Sequence, residues 1–162
     1  MRKEKAVLAA GCFWGVEELI RAVPGVLNTE VGYCGGDPAA TTYQQVKTGQ
    51  TGHAEAVLVE FDAETLSFAD LLRLFFKLHD PTTMNRQGND VGTQYRSAIF
   101  YQNENQKEIA AQVIQEMTVS KKFLNPIVTK LELLTEFISA EEYHQDYLQK
   151  NPNGYTCHFW RN

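Results

Sequence analysis

The chain has 162 residues, 43% of them apolar, and carries 20 acidic against 15 basic side chains for a formal charge of −5. That size suits one domain with a real core, and the interspersed charges, with no basic stripe, argue against a nucleic-acid partner. No stretch approaches the roughly 20 consecutive apolar residues of a membrane span, and no exposed apolar repeat is visible, so a cytoplasmic monomer is expected.

Met1-Arg2-Lys3-Glu4-Lys5, followed by Ala6 to Gly11 and then Cys12, has the outline of a basic leader with a lipoprotein cysteine, but its apolar run is too short for a signal core. Residues 7–10 read instead as a short buried strand entering Gly11. Val16, Leu19, Ile20 and Val23 then recur at helical spacing, which places Cys12 where a strand turns into a helix. Pro24-Gly25 ends that helix, residues 26–33 read as a second strand, Gly35-Gly36-Asp37-Pro38 as a turn, and residues 53–61 as a third strand. Ser67 with Asp70 caps an apolar helix through Leu71, Leu72, Phe75 and Leu78.

Residues 80–95 lack periodicity, 97–101 resume as a strand, and Asn103 with Gln106 opens a helix to about residue 122. A strand at 128–134 and a short helix opened by Ser139 and Glu142 complete a folded domain over 1–150. Asn151, Pro152, Asn153 and Gly154 begin a mobile C-terminal tail, 151–162. Strands alternating with helices predict a single-domain α/β sandwich, one sheet with helices packed against it.

Cys12, Cys34 and Cys157 cannot all pair within one chain, and none lies in a Cys-x-x-Cys unit or a zinc-site spacing. No disulfide scaffold and no metal site is expected; each thiol is either a small buried hydrophobe or a reactive group. Cys12 at a helix N-terminus faces unpaired N–H groups and the positive end of the macrodipole, and about 2 kcal/mol from that source would bring a thiol from about 8.5 to near 7. Gly11 and Gly15 suit a tight turn and close backbone approach, while Phe13 and Trp14 set bulky apolar surface beside the sulfur. Packing at the strand-helix junction is the alternative for this cysteine.

In the alternation of the third strand Glu55 shares a face with Val57, Val59 and Phe61, where a buried carboxyl stays protonated. A strand-end glutamate reaching solvent or a basic partner fits equally well. Tyr43 and Tyr95 lie in loop-like segments and offer phenolic donors, or are simply packed. Asp90, within Gln87-Gly88-Asn89-Asp90-Val91-Gly92, reads as a turn residue. His53, His79, His144 and His158 have no metal-ligand spacing and default to structural imidazoles. Cys157 reads as an exposed thiol on a flexible segment, which packing does not explain, and Cys34, at a strand end, as buried. On these residues alone a Cys-His hydrolase built from Cys12 and His53, with Asp90 orienting the base, is a rival reading, as are a peroxide-reducing thiol enzyme and a non-enzymatic interaction module.

Gly11-Cys12-Phe13-Trp14-Gly15 resembles the hallmark of the A-type peptide methionine sulfoxide reductases. Gly32-Tyr33-Cys34-Gly35-Gly36, Thr42-Tyr43, Thr51 to Val57, Gly88 to Ser97, and Glu141-Glu142-Tyr143-His144-Gln145-Asp146-Tyr147 resemble further family segments in the same order. The resemblance implies a two-layer sandwich around a split β-α-β, ferredoxin-like core. It also implies Cys12 as nucleophile, Glu55 as the acid near the sulfoxide oxygen, Tyr43 and Tyr95 as its hydrogen-bonding companions, Phe13 and Trp14 as the methyl pocket, and Asp90 as a substrate contact. The family's activity would be reduction of methionine-S-sulfoxide, in oxidised proteins and peptides and as the free amino acid. It needs no cofactor, passes through a Cys12 sulfenic acid, and ends in an intramolecular disulfide reduced by thioredoxin. Cys157 falls in the region of the family's resolving cysteine. The chain departs from the family in having cysteine at position 34 and in spacing its tail thiol as Tyr155-Thr156-Cys157, so Cys34 is the other candidate for the resolving thiol.

Overall fold

The structure is a computed structural model that describes residues 1–161. β1 (Lys3–Ala10), α1 (Phe13–Arg21) and β2 (Val26–Cys34) are followed by a single-turn α2 (Tyr43–Val46) and by β3 (Ala54–Asp62). β3 lies antiparallel between β1 and β2, which makes β1-α1-β2 a split β-α-β unit. Next come α3 (Phe68–Leu78), a small hairpin of β4 (Arg86–Gln87) and β5 (Asp90–Val91), and β6 (Ser97–Tyr101), antiparallel to β1 on its other side. With α4 (Glu104–Val119), β7 (Lys130–Leu133), β8 (Phe137–Ser139) and α5 (Tyr147–Lys150) the six-stranded order is β7-β6-β1-β3-β2-β8. Its four central strands have the ferredoxin-like arrangement expected from the resemblance.

β1 holds the centre because Ala6 to Ala10 are buried whichever way they point, as a strand covered on both faces requires. The strand begins earlier than its apolar run suggests. Lys3 and Lys5 stand opposite Asp62 and Glu60 of β3, and such opposite-charge pairs extend a ladder where hydropathy gives no signal.

Alternate residues sort between the two faces. Leu8 and Ala10 of β1, Val31 and Tyr33 of β2, and Val57, Val59 and Phe61 of β3 join the main core with Phe13, Val16 and Ile20 of α1 and the apolar side of α3. Val7, Ala9, Cys34, Ala54, Ala56, Ala98 and Phe100 form a separate cluster on the opposite face. The expected caps form: Ser67 Oγ accepts the Asp70 N–H at 3.0 Å and Asn103 Oδ1 that of Gln106 at 2.8 Å.

Ser139 does not open a helix. It ends β8, which pairs with Gly32–Cys34 at the edge of β2, and the expected helix is a 3-10 turn (Glu142–His144) followed by α5. Unpaired backbone on the β2 edge decides this, since it needs partners wherever it is covered. Gln145 extends the pairing with its side chain: Oε1 accepts the Val31 N–H and Nε2 donates to the Val31 carbonyl, both at 2.9 Å. The tail, read as mobile from its composition, is nevertheless anchored in the fold. Arg161 donates its N–H to the Lys77 carbonyl at 2.7 Å, and His158 is buried.

Candidate active site

Gly11, at φ +95°, turns the end of β1 into α1 and delivers Cys12 to the N-cap. The Cys12 side chain makes no capping hydrogen bond. The Phe13 N–H donates to Glu55 Oε1 at 3.2 Å. Glu55 is only 1% exposed and faces α1, as its strand alternation requires. Burial pushes its carboxyl up to about 8, opposed by the Phe13 N–H and assisted by the Asp90 charge, so near neutral pH it is largely the acid.

The helix end does not make Cys12 a ready thiolate. Burial pushes its thiol well above the ordinary range, the Glu55 charge adds to this, and the Trp14 N–H works the other way. The value near 7 expected from the macrodipole is therefore corrected: desolvation of a buried sulfur exceeds what one helix end returns.

Tyr43 is held at the start of α2, where its N–H donates to Glu141 Oε2 at 2.9 Å, while Glu141 Oε1 accepts the Tyr33 hydroxyl at 2.7 Å. Burial, then the Glu55 and Cys12 charges, push the Tyr43 phenol up to about 12. Tyr95 ends a 3-10 turn (Thr93–Tyr95), and burial followed by the charges of Glu55 and Tyr43 raises its phenol too. Both keep their proton near neutrality and remain donors. Asp90 is not in the turn, which Gly88 and Asn89 make, but on β5, where its Oδ2 accepts the Tyr155 hydroxyl at 3.3 Å. Burial raises its carboxyl as well.

Phe13 is 1% exposed, packed between the Tyr33 ring at 5.8 Å and the His144 ring at 5.2 Å. Trp14 is half-buried. Its ring stacks on Tyr147 at 3.8 Å with 10° between planes, and its Nε1–H donates to His144 Nδ1 at 3.0 Å. That bond puts the His144 proton on Nε2, and burial lowers the imidazole's affinity for a second one. Glu141, His144 and Tyr147 thus set the site's aromatic wall. The sequence offered the 141–147 segment as a match without giving its residues a task.

Cys157 is half-buried rather than exposed, with Sγ 3.9 Å from the Gln87 carbonyl, 3.9 Å from His158 Nδ1 and 4.0 Å from Asp90 Oδ2. Cys34 is fully buried in the cluster on the opposite face of the sheet. His53 is committed to backbone: Nδ1 accepts the Gly36 N–H at 3.1 Å and Nε2 lies 2.7 and 2.9 Å from the carbonyls of Asp37 and Ala40. No ring nitrogen is left to activate Cys12, and the hydrolase reading loses its base. Among the described residues no group of three or more His, Cys, Asp or Glu side chains is placed to hold a metal.

The model of the peptide methionine sulfoxide reductase family matches residues 4–162. The chain belongs to this family. Among peptide methionine sulfoxide reductases, MsrA 1 of Mesorhizobium japonicum is 52% identical over 98% of this chain and 90% of its own length. MsrA of Methanosarcina acetivorans is 56% identical over 91% of this chain and 78% of its own. The reduced form of Mxr1 from Saccharomyces cerevisiae superimposes with a TM-score of 0.94 at 37% identity, covering 99% of this chain and 93% of Mxr1. Mxr1 has also been solved in complex with Trx2. The family read from the Gly-Cys-Phe-Trp-Gly segment is therefore borne out, and so is the fold.

Proposed function

We propose that the protein reduces methionine-S-sulfoxide, in peptides and proteins and as the free amino acid, with Cys12 as nucleophile and thioredoxin as final reductant. The observation that carries this reading is the Glu55 carboxyl, buried beneath the helix start and tied to the residue after Cys12. A buried carboxylic acid beside a thiol and two phenols suits protonation of a sulfoxide oxygen. A peroxide-reducing site has no evident need of the Trp14, His144 and Tyr147 wall.

The Cys12 sulfur attacks the sulfoxide sulfur while Glu55 gives its proton to the oxygen, and Tyr43 and Tyr95 donate hydrogen bonds to the charge developing there. Because burial holds the Cys12 proton in the free protein, the thiolate forms as the substrate enters. The attack joins the two sulfur atoms; the protonated oxygen then passes from the substrate sulfur to the Cys12 sulfur as the S–O bond and the new S–S bond break, and the proton given up by the Cys12 thiol replaces the one spent by Glu55. The substrate sulfur gains two electrons as methionine and Cys12 loses two as a sulfenic acid, so that one thiol and one sulfoxide become one sulfenic acid and one thioether. The thioether is a weak acceptor, which favours its departure. A methyl group contributes only about 0.8 kcal/mol on burial, so Phe13 and Trp14 serve to orient the sulfur, and Asp90 to contact the substrate.

Cys157 then condenses with the sulfenic acid, releasing water and leaving a disulfide for a thioredoxin dithiol to reduce. Cys34 is a poor rival because its sulfur lies within the opposite face of the sheet. The thioredoxin step takes support from the Mxr1 complex with Trx2. One equivalent of each sulfoxide epimer tests the proposal, with methionine release and the disulfide both followed by mass spectrometry. Methionine from the S epimer alone and a Cys12–Cys157 disulfide are expected; equal release from both epimers, or turnover by Cys12→Ser, would overturn it.

A further inference from the structure

His158 is 7% exposed, and nothing in the first chemical step uses it. Its Nε2 lies 2.6 Å from the Ala10 carbonyl, the last residue of β1 and two before Cys12. A carbonyl can only accept, so Nε2 carries the proton and Nδ1 is left as a lone pair, 3.9 Å from the Cys157 sulfur. The ring is seated by absence of side chains on the other segment. A Cβ on Gly11 would lie 3.3 Å from His158 Nε2 and 2.7 Å from the Gln87 Cβ, and one on Gly15 would collide with His158 Nδ1 and Thr156 Oγ1. Both glycines that bracket Cys12 therefore leave room for this part of the tail.

We propose that His158 is the positioning residue of the recycling step, a latch that pins the tail to the end of β1 so that Cys157 stands over the Cys12 sulfenic acid. The inference rests on the reading of Cys157 as the resolving thiol. The step itself is Cys12–SOH plus Cys157–SH giving the disulfide and water. It needs the sulfur atoms brought within about 2 Å of each other and Cα atoms within about 4.4–6.8 Å, which a loose tail meets only rarely. The Ala10 anchor fixes the residue after Cys157 against one two positions before Cys12, and converts an encounter between chain segments into a small local movement. Near neutral pH burial keeps the ring uncharged, lowering it to about 4, so the Nε2–H bond to Ala10 does not titrate during turnover.

Quenched-flow measurement separates the two steps: methionine release reports formation of the sulfenic acid, and loss of the second thiol, or capture of the sulfenic acid by a 1,3-diketone, reports closure. His158→Ala and His158→Phe are expected to release one methionine per chain at a rate within about threefold of the parent while closing the disulfide about tenfold or more slower. His158→Gln, which keeps a donor for Ala10, should recover most of the closure rate. Unchanged closure in His158→Phe, or equal slowing of both steps, overturns the latch; should His158→Ala fail to fold, the Phe and Gln variants still decide. The underlying reading fails separately, if Cys157→Ser still loses a second thiol.

Discussion

The amide of Phe13 donates to Glu55 Oε1 at 3.2 Å, so the first turn of α1 and the third strand share one hydrogen bond directly beside the Cys12 sulfur. Two protons are held there in the free protein near neutrality, one on each of Cys12 and Glu55, both by burial. The pair titrates together, and its pH behaviour belongs to both groups.

Alkylation of Cys12 in the substrate-free protein should be slow at pH 7 and keep accelerating beyond pH 9, because burial holds the thiol proton. Glu55→Gln removes the charge that adds to this shift, and should move the alkylation midpoint to lower pH. A midpoint near 7 in the parent would restore the helix-end account.

The Glu55 carboxyl also links stability to pH. Its folded value of about 8 exceeds the ordinary 4.5, so the native state binds the extra proton, and stability falls as pH rises from about 4.5 to about 8. Glu55→Gln should lose that slope and gain on the parent by up to a few kcal/mol at the alkaline end, measured as urea midpoints at pH 5 and 8. Its first-step rate should fall, and the decline of the parent's rate above pH 8 should disappear with it.

In the proposed first step, Tyr43→Phe and Tyr95→Phe each remove one donor to the developing charge. Each should lower the first-step rate by about tenfold and the pair by about 10²–10³, with folding stability changed little. A double variant no worse than either single one would mean that only one phenol reaches the substrate oxygen.

His144→Ala deprives the Trp14 indole N–H of its acceptor. In the proposed first step, a wall that has lost its support orients the substrate sulfur less well, so kcat should fall by about 3–10-fold with a smaller effect on KM. His144→Asn, which can present an oxygen near the place of Nδ1, should recover part of the loss.

Cys34→Ala should leave recycling by thioredoxin intact and cost about 1 kcal/mol or less of stability, since it removes one buried sulfur from a cluster of small side chains. Loss of multiple turnover in this variant, with Cys157→Ser unimpaired, would reverse their assignment.

Much of this was legible in the chain. The period of two in β3 puts Glu55 on one face with Val57, Val59 and Phe61, and the break between Ala10 and Phe13 puts Cys12 at a helix start. Local capping pairs at Ser67 and Asn103 were equally plain. What the chain does not display depends on distant partners. The charged beginning of β1 has strand structure because β3 offers opposite charges. Ser139 lies in a strand because the edge of β2 is open to it, and a local capping pattern cannot see that edge. The direction of the thiol's shift is not legible in the chain, because the helix end is visible in sequence and the depth of burial is not. His144 and His158 had no spacing to mark them, since their partners, Trp14 and Ala10, come from the other end of the chain.

The His158 contact with Ala10 joins residues 148 positions apart. Synthesis delivers the thiol-bearing turn long before the histidine that seats against it, so Cys12 leaves the ribosome on a segment whose cover does not yet exist. The nascent chain therefore carries an unshielded sulfur without its finished pocket, and closing the site waits on a contact between distant segments rather than on local folding.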